Sequence, residues 1–326
     1  MLHSCTTIPV SVVIPVRNES ATLHELFSGL LALSPLPAEV VFVDTGSTDS
    51  SVAEIELWVE LAGRLGIRCS LYRHPGAYPG TARNAGVAMA TEEWVAFIDA
   101  GIVPQSDWLA ELWKYRSDHQ VVAVFGVCRF GSDELLGRML CAASYGYGRV
   151  VPVLPASLFN KGLFEKVGFF QEQLRSGEDI LWKKALLNAG IELSVCETAI
   201  VSYRHFPGTL LQAMRKWFIY EQSATVAGIG SPFRTLVLLA VLAMYPALVI
   251  AFPVGGPLFV IYLVVRGVAD PLRRSNGKAW WTVGWQVLAQ PVLVALLDIS
   301  SALGRVSALI GASHFRLGAS SGRRVG

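Results

Sequence analysis

The chain has 326 residues, with 27 Lys and Arg against 25 Asp and Glu, and this near-balance leaves no basic surplus of the kind nucleic-acid binding needs. Hydrophobic residues make up 52% and charged residues only 16%, which excludes a disordered chain and is too apolar for an ordinary soluble domain. Charge is unevenly spread: residues 234–326 hold nine basic residues and two acids, Asp270 and Asp298, and the remainder holds 18 basic and 23 acidic residues. An acidic front held against an anionic membrane surface by a basic, apolar tail is the expected arrangement.

The first hundred residues alternate strand and helix signals. A β-branched run at 10–16 (VSVVIPV) meets the polar turn RNES, and 21–33 then repeats apolar residues at helical spacing. A second strand at 39–43 ends in DTGSTD, followed by a helix over 51–65 and a short strand at 68–72. A helix over 81–90 and a strand at 94–98 complete the alternation, and the strand runs into DAGIVP. Strands that are apolar throughout, separated by helices, predict a mostly parallel sheet covered by helices. Beyond this point the pattern predicts a helix over 108–117, a strand at 121–127, an irregular Gly/Ala-rich stretch over 137–160, a helix from about 178 to 188, a strand at 191–195 and a helix over 210–227. The last of these mixes apolar bulk with Arg215 and Lys216, which suits an amphipathic helix lying at a membrane interface.

Membrane segments are expected from about residue 235. The next 31 residues carry no charge, whereas one span needs about 20. The breaker FPVGGP divides them, so two helices over roughly 235–252 and 256–270 are expected to form a hairpin. Lys278 and Asp298 bracket a third candidate of 19 uncharged residues with Pro291 inside. The loop with Arg266, Arg273, Arg274 and Lys278 belongs on the cytoplasmic side by the positive-inside rule, and the hairpin returns the chain to the side of the front domain. The expected divisions are an α/β front domain over 1–207, an interfacial helix over 208–230 and a membrane region over 231–326. The start of the chain lacks a basic flank before its apolar run and reads as a first strand rather than a signal peptide. Cys5, Cys69, Cys128, Cys141 and Cys196 are odd in number, contain no CxxC and are expected to be reduced thiols.

Ligands of such a sheet sit beyond the strand C-termini, so the chemistry is sought in RNES, DTGSTD and DAGIVP. Glu19, Asp44, Asp49 and Asp99 follow strands, and Arg83 and Asn84 open the third helix. Acids there can accept from ribose hydroxyls and a base N–H, and an arginine can neutralise a phosphate. Turn or capping chemistry is the plainer role for any one of them, Asp49 above all. The first strand is followed neither by Gly-x-Gly-x-x-Gly nor by a Walker lysine, which opposes dehydrogenase and P-loop readings.

The ordered motifs SVVIPVRNE, VVFVDTGSTDSS, PGTARNAG, WVAFIDAGIVPQSDWL, NKGLFEKVGFF, RSGEDILWKKALLNAG and YRH resemble those of the family 2 glycosyltransferases with the GT-A fold, over roughly residues 9–222. The layout resembles the membrane-attached, lipid-directed members. The resemblance implies that Pro15, Arg17 and Glu19 line a nucleotide pocket, that Asp44 recognises the base and that Arg83 lies near base or diphosphate. It implies that Asp99 contacts ribose and helps to hold a divalent cation, Mg2+ or Mn2+, with His205 near the same place. Glu178 and Asp179 match the acceptor-side acids, Asp179 as the general base of an inverting transfer from a nucleotide-sugar donor. One departure stands out: the family's D-x-D is Asp99-Ala100-Gly101, without its second acid, and Asp107 is too far along to replace it. Asp99 and water helped by His205 could hold the cation, basic groups could replace it, or the chain could bind sugar nucleotides without turnover. A lipid or polyprenyl-phosphate-like acceptor follows from the apolar tail, and with it a multi-pass location in the cell inner membrane or another cytoplasmic membrane. A homo-oligomer is compatible with the sequence, and nucleic acid is not an expected partner.

Overall fold

A computed structural model describes residues 7–321, which leaves Cys5 outside the described residues. The chain forms two compact units, one of residues 1–130, 150–174 and 178–205, the other of residues 131–149, 175–177 and 206–326.

The first unit is built on a nine-stranded sheet. In chain order its first elements are β1 (Thr7–Val16), α1 (Leu23–Leu31), β2 (Leu36–Asp44), α2 (Ser51–Arg64), β3 (Arg68–Arg73), α3 (Pro79–Met89), β4 (Trp94–Phe97), β5 (Ile102–Pro104), α4 (Trp108–His119) and β6 (Ala123–Phe130). Helix α5 (Leu135–Ser144) belongs to the other unit, after which come β7 (Val150–Pro152), β8 (Leu158–Asn160), α6 (Gly162–Val167), α7 (Glu178–Asn188) and β9 (Ser194–Tyr203). The strand order is β3-β2-β1-β4-β8-β6-β9-β5, with β7 paired to β6.

From β3 to β4 every pairing is parallel. Past β4 the sheet is mixed: β8 runs antiparallel to β4 and β6, β5 antiparallel to β9, and β6 parallel to β9. The expected parallel sheet is therefore its first half. The stretch expected to be irregular over 137–160 contains α5, β7 and β8, because three-residue strands are too short to display alternation. The strand expected at 191–195 is β9, which begins at Ser194 and runs to Tyr203.

Val13, Val41, Val43 and Phe97 are fully buried, and they share one core with Phe159, Phe164, Phe170 and Trp182. Trp182 of α7 stacks on Phe164 at 4.8 Å and donates its indole N–H to the Gly168 carbonyl at 2.8 Å, which fixes α7 against the sheet. Helix α3 approaches β1 through Gly86, where a Cβ would fall 2.2 Å from Val13 Cγ1. These two helices carry the residues on which the candidate site depends.

The second unit adds α8 (Leu210–Val226), α9 (Pro232–Ile250), α10 (Phe252–Val264), a π-helical stretch Val265–Ala269, α11 (Asp270–Arg274) and α12 (Trp285–Ser321) to α5. Thr209 and Gln212 cap the start of α8 reciprocally. The hairpin breaks at Ala251 (φ −132°, ψ 52°), earlier than the Gly–Gly pair suggests, because Pro253 sits in a first turn, where its missing N–H costs nothing. Residues 279–284 of the third apolar stretch lie outside a helix, and α12 begins only at Trp285 and runs through Pro291. Gly267 meets that proline: a Cβ there would fall 2.4 Å from Pro291 Cα. Two helical runs, Phe252–Arg274 and Trp285–Gly311, are long and apolar enough to cross a membrane, the first with 11% of its apolar window buried and the second with 61%. Several buried charges of this unit are paired. Glu221, 6% exposed, bonds both Arg234 and Arg305, and Asp298 accepts from Arg266 at 2.7 Å and from Tyr262 at 3.0 Å.

Candidate active site

Because β1, β2 and β4 are neighbouring parallel strands, the segments after Val16, Asp44 and Phe97 emerge at one edge of the sheet. The backbone turns sharply there, with Asn18 at φ 56° and Gly46 at φ 97°. Asn18 Oδ1 accepts from the Thr48 N–H at 2.7 Å, and the Asn18 N–H donates to Ser47 Oγ at 2.9 Å, so the first two loops brace each other.

Asp44 is buried and accepts from the backbone N–H groups of Gly46 and Ser47, both at 3.1 Å. It shapes the loop at the position assigned to base recognition. Pro15 is half-buried at the end of β1, and Arg17 is exposed in the loop beyond. Asp49 accepts from Ser51 Oγ at 2.6 Å and from the Ser20 N–H at 3.2 Å. Burial pulls its pKa upward, but these hydrogen bonds outweigh it and hold the carboxyl down at about 2. Of the capping and turn roles expected of Asp49, the turn is what it performs; Ser50 is the N-cap residue of α2, and no side chain caps it.

Arg83 forms the centre of the site. Pro79 opens α3 at a position that suits proline, and Arg83 follows in the second turn, only 5% exposed at its side chain. Its guanidinium bonds Asp99 Oδ1 at 2.7 Å through one nitrogen and Glu178 through another. Burial disfavours the Arg83 charge, but Asp99, Glu178 and Asp179 more than restore it and raise its pKa. Glu178 is 6% exposed at its side chain. Burial raises its pKa against the opposing pull of Arg83, and Asp179 adds to the rise. Asp179, beside it in the first turn of α7, is half-buried, and the helix dipole favours both acids there. Asn84 exchanges two 2.9 Å hydrogen bonds with the Phe170 backbone, which pins α3 to the chain leading to α7. The resemblance implies that Arg83 lies near base or diphosphate; in the structure its guanidinium joins the strand-end acid Asp99 to Glu178 at the start of α7, a link that the order of residues does not display.

Glu19 is a further acid at this edge. Thr22 Oγ1 lies 3.0 Å from Glu19 Oε2 and 3.5 Å from the Ala100 carbonyl. A Cβ built on Gly101 would meet Glu19 Oε2 at 3.7 Å and no other non-neighbouring atom within 4 Å. His205 follows β9, whose antiparallel register with β5 (Ile102↔Tyr203) puts it at the same end as the 99–101 loop. Its Nε2 lies 3.2 Å from Glu25 Oε2 on α1.

Among the described residues no three His, Cys, Asp or Glu side chains gather into a cation cage. Magnesium-like cations in phosphate chemistry seldom use such cages: one or two carboxylates, water and the substrate's own phosphate oxygens hold them. Asp99, with one oxygen on Arg83 and its side chain 41% exposed, and the open space at Gly101 beside the Glu19 carboxylate fit that kind of binding. The hard oxygen donors suit Mg2+ or Mn2+. No disulfide links Cys69, Cys128, Cys141 or Cys196, and burial pushes the Cys69 thiol up to about 12.

Residues 11–172 match the family model Glycosyl transferase family 2. Residues 11–172 thus form a family 2 glycosyltransferase region, and that family is a class of sugar-transferring enzymes with the GT-A fold. It is 30% identical over 243 residues to the pre-mycofactocin glycosyltransferase of Mycobacterium tuberculosis, covering 69% of this chain and 49% of that one. It is 26% identical over 231 residues to the succinoglycan biosynthesis protein ExoO of Rhizobium meliloti, covering 63% of each. The chain thus spans about half the length of the mycobacterial relative. In fold it is similar to the mannosyltransferase PcManGT from Pyrobaculum calidifontis, solved with GDP-Man and Mn2+, with a TM-score of 0.56 at 18% identity over 93% of this chain and 88% of that one.

Proposed function

We propose that the protein transfers a sugar from a nucleotide-sugar donor to a lipid or lipid-linked acceptor at the cytoplasmic face of a membrane, with inversion at the anomeric carbon. The observation that carries this reading is the double hold of Arg83 on Asp99 and Glu178, which gathers a strand-end acid and the paired acids of α7 at one edge. The nucleotide lies beyond β1, β2 and β4, against Pro15, Arg17, Glu19 and Asp44, with Asp99 toward the ribose. Asp99 would hold a divalent cation, whose chemistry there is to neutralise charge on the diphosphate.

Asp179 is the half-buried acid of the pair and serves as general base. It takes the proton of the acceptor hydroxyl as that oxygen bonds the anomeric carbon. The bond from that carbon to the diphosphate breaks with its electron pair on the leaving phosphate oxygen. Glu178 stays in place on Arg83 and positions the helix start. In the helical unit, α8 exposes Leu211 and Val226 and suits an interfacial position, which supports an acceptor held in lipid. If α9 and α10 cross in turn as a hairpin, the basic residues that follow them, Arg266 to Lys278, lie on the same side as the catalytic unit, and the positive-inside rule makes that side cytoplasmic.

A screen of nucleotide sugars with the full chain in lipid tests this reading. Transfer is expected with at least one donor and is expected to fall about 100-fold or more in Asp179→Asn, with donor affinity kept. Donor binding without transfer in the unaltered chain would instead establish a binding protein of the same fold.

A further inference from the structure

Glu19 comes from the loop after β1 and Gly101 from the loop after β4, in a sheet where these strands are adjacent and parallel. At position 101 there is no side chain, and the first atom that one would meet is the Glu19 carboxylate, 3.7 Å from an ideal Cβ. Thr22 spans the same gap, its hydroxyl near both Glu19 Oε2 and the Ala100 carbonyl. Two residues before Gly101 stands Asp99, which meets Arg83 through Oδ1 and leaves Oδ2 outside that bond. Around Arg83 the formal charges do not cancel: one guanidinium faces Asp99, Glu178 and Asp179. An incoming diphosphate adds further negative charge, so a cation entering with it is favoured at this edge.

We infer that Glu19 is the second carboxylate of the donor's cation site: with Asp99 it holds a divalent cation bound to the nucleoside diphosphate, in the space that Gly101 leaves open. This rests on the donor-binding reading above and assigns Glu19 to the phosphate end of the nucleotide rather than to the nucleoside alone. The carboxylate that the 99–101 loop lacks is supplied from the neighbouring strand. His205, turned to Glu25, is not needed as a ligand.

The test is direct binding of Mn2+ to the full chain in detergent, read by the electron paramagnetic resonance of free Mn2+, with UDP and with GDP as the nucleotide probes. Nucleotide binding is measured in parallel by calorimetry, with Mn2+ and with EDTA. The wild type is expected to bind one Mn2+ per chain with at least one of the two nucleotides. Glu19→Gln keeps an oxygen toward Thr22 but loses the charge, and is expected to weaken Mn2+ binding by on the order of 10- to 100-fold. Its loss of nucleotide affinity should be at least about 10-fold larger with Mn2+ than in EDTA, which separates the cation's share from any direct contact of Glu19 with the nucleotide. Adding Gly101→Asp to Glu19→Gln returns a carboxylate to the same space and is expected to restore most of the Mn2+ affinity. Unchanged Mn2+ binding in Glu19→Gln, or failure of the double variant to recover it, would overturn the inference. Nucleotide binding indifferent to Mn2+ in the wild type would overturn it as well, while leaving sugar transfer itself intact. No binding of either nucleotide, under any metal condition, would overturn the inference for these two donors' nucleotides, and the transfer screen alone would then decide the proposed function.

Discussion

Arg83 and Asp49 illustrate how differently two charged residues of one sheet edge are used. Arg83 is buried and its charge is held by acids, so its role cannot be separated from Asp99 and Glu178. Removing it would leave a buried carboxylate without its partner, the costly way to break such a pair. Asp49 is exposed and held by serines. Its carboxyl is ordinarily half-protonated at 3.8 and in the folded chain only at about 2. The lowered value means that its stabilisation is fully present above 3.8 and is lost as the pH falls through about 2. Asp49→Asn is therefore expected to flatten that part of the acid limb, compared by unfolding midpoints at about pH 5 and about pH 2. The sequence marked both residues as polar groups at a strand or helix end. It could not tell that one braces a loop and the other joins two halves of a site.

At the level of elements, α3 decides whether Arg83 can reach both acids. The helix lies close to β1 because Gly86 has no side chain, and a methyl group there would collide with Val13 Cγ1 at 2.2 Å. Val13 is fully buried in the centre of β1 and cannot yield without disturbing the core. Gly86→Ala is expected to cost about 1–3 kcal/mol in denaturant unfolding. It should also weaken nucleotide binding, because the displaced helix carries Arg83 with it. The GTARNAG segment announced a helix with polar residues at its start, and α3 forms there from Pro79. Its depth against the sheet was not legible, since that depends on a glycine meeting a valine 73 positions earlier in the chain. The short strands β7 and β8 were missed for a related reason: three residues become a strand only when a neighbour supplies hydrogen bonds, β6 for β7 and both β4 and β6 for β8.

For the whole molecule, the informative contrast is between a mixed α/β unit carrying the candidate site and a helical unit in which the apolar tail resides. The proposed topology places the basic segment between the two spanning helices on the cytoplasmic side. Arg273, its side chain 76% exposed, offers a place to test it. Arg273→Cys in intact cells is expected to resist a membrane-impermeant maleimide and to react after permeabilisation, with the wild type as background. Labelling in intact cells would place that segment outside and reverse the proposed orientation. Gly267 against Pro291 joins the π-helical stretch to α12, a contact that the apolar run of either segment alone does not announce.

The alternation of strands and helices over the first hundred residues, the apolar tail and the family motifs were readable in the sequence, because periodicity and motif spacing are properties of consecutive residues. Asp99, the Glu178–Asp179 pair and the glycine at position 101 were singled out in this way. What the sequence did not reveal was which residues meet. Arg83 reaches Asp99 across 16 positions and Glu178 across 95, and His205 turns to Glu25 across 180. The side chain nearest to the missing one at Gly101 comes from another strand's loop. Such pairings are decided by strand adjacency and close packing, which bring carboxylates and guanidinium together where charge must be compensated out of water, and no local pattern along the chain encodes that proximity.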